Sequence, residues 1–416
     1  MSRLRTLAKK CIDYTIEGEE KVYRLKHTPF AVRKVFTKNY HKHYENLPVQ
    51  KNKIIFDNYK GGGFGCNCKY VLLELLRQKV EADYVWMLRN PSEAEGLPKG
   101  VRTVSYGSRQ AMEEYATAGF WVNNFQMTYY LNHGLLKKPE QCYIQMWHGS
   151  FGIKKIEADC NFLNENQPWH VLARKNAAYT DYWISNSAFE TQVYKDAFWG
   201  AENILEYGHP RNDIFFKDMK PVGQSVRRRY GIEGKRVLLY VPTFRDLDEH
   251  RVLLPDYESV LESLKKRFGG EWIFAVRNHP RVAEKIEKVS GKSLVDVTDY
   301  PDIQELLAAA DAVLTDYSSA VFDFVLTGKP GFLLVEDYEE YENLRGLYYP
   351  PEESPFPVAR SREQLCSLIE QFDENRYRED VQRFLREKGS VEDGSASEKV
   401  AALIQKTMER KEKSND

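Results

Sequence analysis

Apolar runs alternate with amphipathic stretches along most of this chain. The run KIIFDNY (53–59) predicts a buried strand, NCKYVLLELLRQK (67–79) has the 3.6-residue period of a helix, and ADYVWML (82–88) predicts another strand. Further strands are predicted at VRTVSY, FWVNN, CYIQMW and DYWISNS. Strands that alternate with helices in this way are typical of a parallel sheet that is covered by helices on both faces.

A second series of the same kind begins near residue 204. Its predicted strands are ILEYG, RVLLYVP, WIFAVRNHP, SLVDVT, AVLTDY and GFLLV. Because 416 residues are too many for one ordinary core, we predict two doubly wound α/β domains, at 53–203 and 204–361. The charged helical segment 362–416 is expected to pack back on the first domain.

Charge is distributed unevenly along the chain. Residues 1–53 contain thirteen Lys and Arg against five Asp and Glu, whereas the whole chain has a net charge of -1. We interpret residues 1–52 as a basic segment that binds an anionic membrane surface, and the alternative is a solvated basic helix or arm. The near-zero total charge argues against nucleic acid as a partner.

The sequence has no signal for a membrane span or a metal site. No run of eighteen apolar residues occurs, and the six cysteines lack the spacing of a zinc site. We therefore interpret the cysteines as reduced thiols. The expectation is a cytoplasmic protein that lies peripherally on the inner face of the cell membrane, with no cofactor and no metal.

Polar clusters follow the predicted strands at the points where they end. Ligands of doubly wound sheets bind at the carboxyl ends of the strands, so these clusters are expected to share one cleft. The candidate residues are His148, Arg211, Thr243, Arg245, His279, Asp316, Ser318 and Ser319. The glycine-rich stretch GGGFG (61–65) lacks the spacing of a dinucleotide-binding motif, and we interpret it as a tight turn at the rim of the cleft.

The stretch TDYSSAVFDF (315–324) predicts a phosphate site. Ser318 and Ser319 precede a helical run, so their hydroxyls and the first free amides can converge on a phosphate. Asp323, about one turn further, is a candidate for a ribose hydroxyl. The alternative is an ordinary serine cap of a helix. Arg211 and Arg245 offer guanidinium groups that suit bidentate contact with phosphate.

Two histidines are the candidates for proton transfer. Taken alone, His148 in QMWHGSFGIKK is expected to be a packed histidine. His279 in RNHP lies in the second domain, and a pair of cleft histidines suits removal of a proton from an attacking hydroxyl and stabilisation of a charged leaving group. Gly149 lets a substrate approach the backbone, and Lys154 and Lys155 hold an anionic acceptor or face solvent.

The motifs together resemble those of the CDP-glycerol glycerophosphotransferase family. The resemblance covers roughly residues 53–350 and rests on QMWHGSFGIKKIEAD, GHPRND, YVPTFRD, RNHP, DYPDIQELLAAADAVLTDYSSAVFDF and YENLRGLYY. The sequence departs from the family's usual pattern at His209, where an aromatic residue is usual, at Glu157, where glycine is usual, and at FPV (356–358), where Gly-Pro is common.

The resemblance implies a GT-B fold, in which two Rossmann-like domains face each other across a cleft. It implies transfer of glycerol phosphate from CDP-glycerol to a hydroxyl of a lipid-linked acceptor in teichoic acid or capsule synthesis, with release of CMP. The acceptor would carry an undecaprenyl-diphosphate-linked saccharide or a polyol phosphate. His148 would be the general base and His279 would neutralise the pyrophosphate.

Three other functions are left open by the sequence. A transferase of the same family would use CDP-ribitol, and a GT-B sugar transferase or epimerase would use a UDP-sugar, since the fold alone does not distinguish them. A membrane-surface binding protein without turnover would explain the basic segment but not the polar clusters at the strand ends. The sequence does not distinguish a primase from a polymerase.

Overall fold

The computed structural model describes residues 43–90, 94–160, 168–243, 255–278 and 290–413. Within these residues the chain forms two sheets of seven strands each. The first sheet consists of β1 (Gln50–Asp57), β2 (Asp83–Leu88), β3 (Arg102–Ser105), β4 (Ala118–Asn123), β5 (Cys142–Gln145), β6 (Tyr182–Ser185) and β7 (Ile204–Glu206). The second consists of β8 (Arg236–Val241), β9 (Trp272–Val276), β10 (Ser290–Gly291), β11 (Leu294–Asp296), β12 (Ala312–Thr315), β13 (Gly331–Leu334) and β14 (Val358–Ala359).

Both sheets have the doubly wound order that the alternation of elements predicts. The first is parallel throughout, in the order β3-β2-β1-β4-β5-β6-β7. The second has the order β10-β11-β9-β8-β12-β13-β14, and its β10–β11 pair is antiparallel. The second half of β1 is apolar because helices cover both faces of the sheet, so Ile54, Ile55 and Phe56 are all fully buried.

Helices connect the strands and cover the sheets. The α-helices are α1 (Cys66–Arg77), α2 (Arg109–Thr117), α3 (Thr128–Asn132), α4 (Pro168–Tyr179), α5 (Ala188–Ala197), α6 (Lys220–Arg229), α7 (Tyr257–Phe268), α8 (Ile303–Ala309), α9 (Tyr338–Arg345), α10 (Arg362–Glu370), α11 (Glu374–Glu387) and α12 (Ala396–Lys413). Short 3₁₀ helices occur at Glu157–Asp159, Pro210–Phe216, Ser319–Thr327 and Pro351–Glu353. In the described part of the chain, none of the helices has the length and apolarity needed to cross a bilayer.

The boundary between the domains differs from the predicted position at residue 204. Ile204–Glu206 does not open the second sheet but pairs in parallel with β6 as the edge strand of the first. The reason is the crossover: α5 leads from β6 to β7, and a strand–helix–strand unit returns the chain to the same sheet. At the other end, β1 begins at Gln50, so the last residues of the predicted basic segment belong to the sheet. Residues 1–42 of that segment lie outside the described residues.

The C-terminal segment is divided between the two domains. Helices α10 and α11 bury Leu365, Ile369 and Phe384 in the core of the second domain. Helix α12 packs back on the first domain, where Val400 and Ile404 lie in its core, and Ser390, before this helix, forms an antiparallel bridge with Ser187 of the first domain. The expected return to the first domain therefore applies to residues 388–413, since the carbonyl of Lys388 already accepts from the N–H of Phe189.

Ionic contacts cross the junction between the domains. The ammonium group of Lys69, on α1, lies 2.8 Å from a carboxylate oxygen of Asp302 in the second domain. The hydroxyl of Tyr70 donates to the same oxygen at 3.0 Å. Because Asp302 is fully buried, these bonds replace the water that its charge would otherwise require.

Candidate functional site

Segments that follow β5 and β12 meet at the junction between the two domains. A Cβ atom placed on Gly152 would lie 2.3 Å from the Cβ of Ser319, so this contact requires a glycine. The segment after β5 carries His148, and the segment after β12 carries the paired serines. The tertiary structure therefore brings the two strongest sequence motifs to one place.

His148 is half-buried and has the tautomer that a general base needs. Its Nδ1 lies 2.8 Å from the carbonyl oxygen of Asn124. Because a carbonyl can only accept, Nδ1 carries the proton and Nε2 keeps its lone pair. Burial lowers the pKa of His148 to about 3, and the positive charges of Arg211 and Lys154 act in the same direction. The imidazole is therefore uncharged at neutral pH, with the lone pair of Nε2 available.

Three aromatic rings surround this imidazole. The ring of Phe125 stacks on it with centroids 5.2 Å apart, and the rings of Tyr59 and Trp147 lie at 4.7 and 4.3 Å. Tyr59 and Trp147 both have a φ of 48°, in the left-handed region that bulky side chains rarely adopt. Strained backbone of this kind clusters at functional sites, where the surrounding structure holds it.

The residues that follow His148 are held by hydrogen bonds from the protein. The carbonyl of Gly149 accepts from the Arg211 guanidinium at 2.6 Å, and the hydroxyl of Ser150 accepts from the Asn186 amide at 2.6 Å. These bonds orient the turn beside the base. The predicted contact of Gly149 with an acceptor stays a prediction.

Lys154 and Lys155 lie where the first domain is joined to the second by backbone contacts. Lys154 forms an antiparallel bridge with Leu347, and the N–H of Lys155 donates to the carbonyl of Gly346 at 3.0 Å. The charge of Lys154 also contributes to the low pKa of His148. Contact of either lysine with an anionic acceptor stays a prediction.

Arg211 and Asp323 form a buried ion pair instead of facing the cleft. Nε of Arg211 lies 2.8 Å from Oδ2 of Asp323, and both residues are at most 2% exposed. The amides of Asn212 and Gln304 also donate to the Asp323 carboxylate, at 3.0 and 2.8 Å. Both side chains are bonded within the protein, and the predicted ribose contact of Asp323 and diphosphate contact of Arg211 stay predictions.

His209, in the same GHPRND motif, lies in the same buried network of ion pairs and hydrogen bonds. Its Nε2 lies 2.6 Å from a carboxylate oxygen of Glu190, and both side chains are almost fully buried. Its backbone N–H points to the carboxylate of Glu392, which also accepts from the Asn212 amide at 2.7 Å. The motif therefore links the first domain, the second domain and the segment before α12.

Asp316 supports the loop after β8. One of its carboxylate oxygens accepts from the backbone N–H groups of Thr243 and Tyr317, at 2.9 and 2.6 Å. It is 2% exposed, and its predicted role in substrate binding stays a prediction. The predicted substrate contact of Thr243, whose position Asp316 sets, stays a prediction.

Ser318 and Ser319 are half-buried at the start of a 3₁₀ helix. The side chain of Ser318 makes no capping hydrogen bond to that helix. The alternative interpretation, an ordinary serine cap, therefore loses its support. Phosphate binding by the two serines stays a prediction.

Arg277 is a candidate that the sequence interpretation missed. It is half-buried at the end of β9, two residues before His279, and donates to the carbonyl of Tyr300 at 3.3 Å. Within the described residues no carboxylate lies within ion-pair distance of its guanidinium, and burial lowers its pKa. A half-buried cation without an anionic partner suits a phosphate. Its position at a strand end was the signal that could have identified it.

His279 and Arg245 lie outside the described residues, so their roles stay predictions.

Among the residues that are described, no three His, Cys, Asp or Glu side chains are grouped so that they could hold a metal ion. The prediction that neither a metal nor a cofactor is needed is untested.

The chain is similar to proteins of teichoic acid synthesis. It is 30% identical to a teichoic acid poly(glycerol phosphate) polymerase of Bacillus spizizenii, over 85% of this chain and 92% of that protein. It is 28% identical to the polymerase of the same name from Staphylococcus epidermidis, over 86% of this chain, but spans only about half, 51%, of that protein. A teichoic acid poly(ribitol-phosphate) polymerase of Bacillus spizizenii is 26% identical over 90% of this chain and 60% of its own length.

Solved structures agree with this similarity. A structure of the wall teichoic acid polymerase TagF superimposes with a TM-score of 0.78 at 26% identity, covering 91% of this chain and 96% of that one. A UDP-N-acetylglucosamine 2-epimerase from Listeria monocytogenes shares the fold alone, with a TM-score of 0.50 at 14% identity over 87% and 98% of the two chains. The family described as CDP-glycerol:poly(glycerophosphate) glycerophosphotransferase matches residues 39–406. The predicted GT-B architecture is confirmed, and the chain belongs to this glycerophosphotransferase family.

Proposed function

We propose that this protein transfers glycerol phosphate from CDP-glycerol to a hydroxyl of an acceptor and releases CMP. The observation that carries the proposal is the tautomer of His148, whose Nδ1 is bonded to the Asn124 carbonyl while Nε2 is left to accept a proton. A hydroxyl is a poor nucleophile at neutral pH, so a positioned base is what the transfer needs most.

The proposed transfer forms one P–O bond, breaks another and moves one proton to His148 at the junction of the domains. Nε2 of His148 removes the proton of the acceptor hydroxyl as its oxygen attacks the glycerol-bearing phosphorus. The new P–O bond forms while the bond from that phosphorus to the bridging oxygen breaks, and the electron pair leaves with CMP. We expect Arg277 and the Ser318–Ser319 turn to bind the diphosphate, since cationic and N–H donors of this kind stabilise charge on a leaving phosphate.

Two other donors are alternatives to CDP-glycerol. CDP-ribitol is favoured by one observation, the similarity to a poly(ribitol-phosphate) polymerase. UDP-sugars are supported by the fold alone, and a fold does not imply a substrate. We place CDP-glycerol first because the family description names glycerophosphate transfer.

The acceptor and the location are part of the proposal. We expect a lipid-linked acceptor, either an undecaprenyl-diphosphate-linked saccharide or a polyol phosphate, at the inner face of the cell membrane. The basic residues 1–52 would hold the enzyme there by attraction to anionic lipids. Binding to anionic vesicles that is weakened by salt and by deletion of residues 1–42 supports this location, and undiminished binding after the deletion contradicts it.

A donor panel tests the proposed reaction. The full chain is incubated with a lipid-diphosphate disaccharide or a glycerol phosphate oligomer, and CMP or UDP release is measured for CDP-glycerol, CDP-ribitol and UDP-N-acetylglucosamine. We expect CMP release from CDP-glycerol. Release of UDP alone, or no release from any donor, would show that the proposed function is wrong.

A matched pair of histidine variants tests the base. We expect His148→Ala to lower kcat by about 10²-fold or more, the usual contribution of a general base. His133→Ala is the control, because the Nδ1 of His133 also lies 2.8 Å from a carbonyl and its ring also stacks, but on Tyr129. Equal losses in the two variants would remove His148 from the role of base.

A further inference from the structure

A carboxyl group, a carboxamide and two cationic side chains lie near one another at the junction of the two domains. The Gln126 amide donates to the carboxyl of Glu157, and the charges of Arg345 and Lys60 act on the same carboxyl. Lys60 belongs to the loop after β1, whereas Arg345 ends α9 of the second domain. Elements of both domains therefore contribute to this cluster, which we call the Glu157 cluster.

The Glu157 cluster lies next to the base. The ammonium group of Lys60 is 4.7 Å from the centroid of the Phe125 ring, and that ring stacks on His148 with centroids 5.2 Å apart. A glycerol unit places its phosphorus roughly 6 Å from its terminal hydroxyl oxygen, at about 1.5 Å per covalent bond. An acceptor whose hydroxyl is at His148 can therefore place its nearest phosphate at this cluster.

The carboxamide oxygen of Gln126 points to a missing ligand. Gln126 is 2% exposed, and within the described part of the chain no donor reaches its Oε1. Buried polar atoms are nearly always hydrogen-bonded in folded proteins, so an exception calls for an explanation. A hydroxyl or water that arrives with a bound acceptor would supply the missing donor.

We propose that Lys60, Gln126, Glu157 and Arg345 form an acceptor subsite that binds the phosphodiester group next to the attacking hydroxyl. The inference rests on the proposed function and narrows its acceptor to one that ends in a glycerol phosphate unit, so that the enzyme extends a chain. The two cations pair with the phosphate, and the Gln126 carboxamide binds a neighbouring hydroxyl.

Glu157 must be uncharged for this subsite to favour an anion. Burial raises the pKa of Glu157 to about 8, although the charges of Arg345 and Lys60 and the Gln126 hydrogen bond oppose the rise. At neutral pH the carboxyl is therefore protonated and can donate a hydrogen bond to a phosphate oxygen. The backbone of Glu157 has a φ of 49°, so the protein holds this side chain in place at the cost of strain.

Calorimetric titration of the full chain tests the charge requirement. The ligands are a synthetic three-unit glycerol phosphate oligomer and triglycerol, which has hydroxyls but no phosphate. We expect Lys60→Met to weaken oligomer binding by about tenfold or more, the usual loss for a bond to a charged group, and to leave triglycerol binding unchanged. Lys79→Met is the matched control, because Lys79 is exposed at the end of α1 and has the same φ of 57° as Lys60.

Equal binding of the oligomer by Lys60→Met and the wild type would overturn the inference, as would equal affinities of the wild type for the oligomer and triglycerol. A second variant, Glu157→Gln, keeps the shape of the side chain and removes its titration. In the wild type, oligomer binding should weaken as the pH rises through about 8 and Glu157 becomes negative. In Glu157→Gln it should stay constant, and a parallel decline in both proteins would contradict the role of Glu157.

Titration of CDP-glycerol into the same proteins separates the two proposals. If CDP-glycerol binds and releases CMP with acceptor but the oligomer does not respond to Lys60→Met or Glu157→Gln, only the subsite is wrong. If the oligomer responds as expected but CDP-glycerol neither binds nor releases CMP, the proposed function is wrong and the subsite stands as a site for phosphodiester polymers.

Discussion

Arg211 and Asp323 form an ion pair that is buried between the two domains, with 2.8 Å between Nε and Oδ2. We expect Arg211→Met to lower the free energy of unfolding by about 3–5 kcal/mol, because it leaves the Asp323 carboxylate buried without its counter-charge. Denaturant unfolding of the variant measures the loss. The double variant Arg211→Met/Asp323→Leu should lose less than the sum of the single variants, since no unpaired charge remains.

An exposed pair provides the control for this prediction. Arg229 and Glu95 also join the two domains, but their side chains are 36% and 65% exposed. Arg229→Met is therefore expected to cost no more than about 1 kcal/mol. Similar losses in the free energy of unfolding of Arg211→Met and Arg229→Met would show that burial does not determine how much the Arg211–Asp323 pair contributes to stability.

The protonation state of His148 is a second testable property. Its pKa of about 3 lies below the ordinary value of 6.5, so the ring takes up a proton only in more acidic solution. In nitrogen NMR of ¹⁵N-histidine-labelled protein, we expect the His148 ring to stay uncharged, with its proton on Nδ1, from about pH 8 to about pH 5. A titration midpoint near 6.5, or a proton on Nε2, would contradict the assigned tautomer.

Arg277 is expected to bind the diphosphate of the donor. Arg277→Met should raise the Kd of CDP-glycerol by about tenfold or more, because a hydrogen bond between charged groups is lost. Calorimetry on the variant checks this. Arg236→Met is the control, since Arg236 lies at the amino end of β8 and its guanidinium stacks on Trp272, 5.6 Å from the ring centroid. An unchanged Kd in Arg277→Met would exclude this role.

The close contact between Gly152 and Ser319 leads to a fourth prediction. Gly152→Ala would place a Cβ 2.3 Å from the Cβ of Ser319, so the segment that carries His148 and the serine turn must move apart. We expect a loss of stability of about 1–3 kcal/mol, which is typical of overpacking, and a fall in kcat. Thermal unfolding and CMP release measure the two effects.

A compensating change distinguishes this contact from a general effect of the substitution. Ser319→Gly removes the Cβ that clashes, although the Cα of Ser319 would still lie 2.9 Å from the new atom. The double variant Gly152→Ala/Ser319→Gly should therefore regain part of the lost stability. A double variant less stable than Gly152→Ala would show that the two residues do not restrict each other.

The local pattern of apolar residues was enough to predict most of the strands, because a strand buried on both faces is a short continuous apolar run. It was not enough to assign Ile204–Glu206, whose sheet depends on where the helix before it returns the chain. It also did not show that the C-terminal segment is divided between the cores of the two domains.

The sequence by itself determined the alternation of strands and helices, and with it the positions of His148 and the paired serines at strand ends. Parallel strands end at one edge of a sheet, so residues that follow them gather there without further information. Only the tertiary structure decided which polar residues bond to each other. Asp323 and Arg211 pair with each other in the buried junction, and the Gln126 amide donates to the Glu157 carboxyl. Charge pairing depends on distances between residues that are remote in the chain, and no local pattern contains those distances.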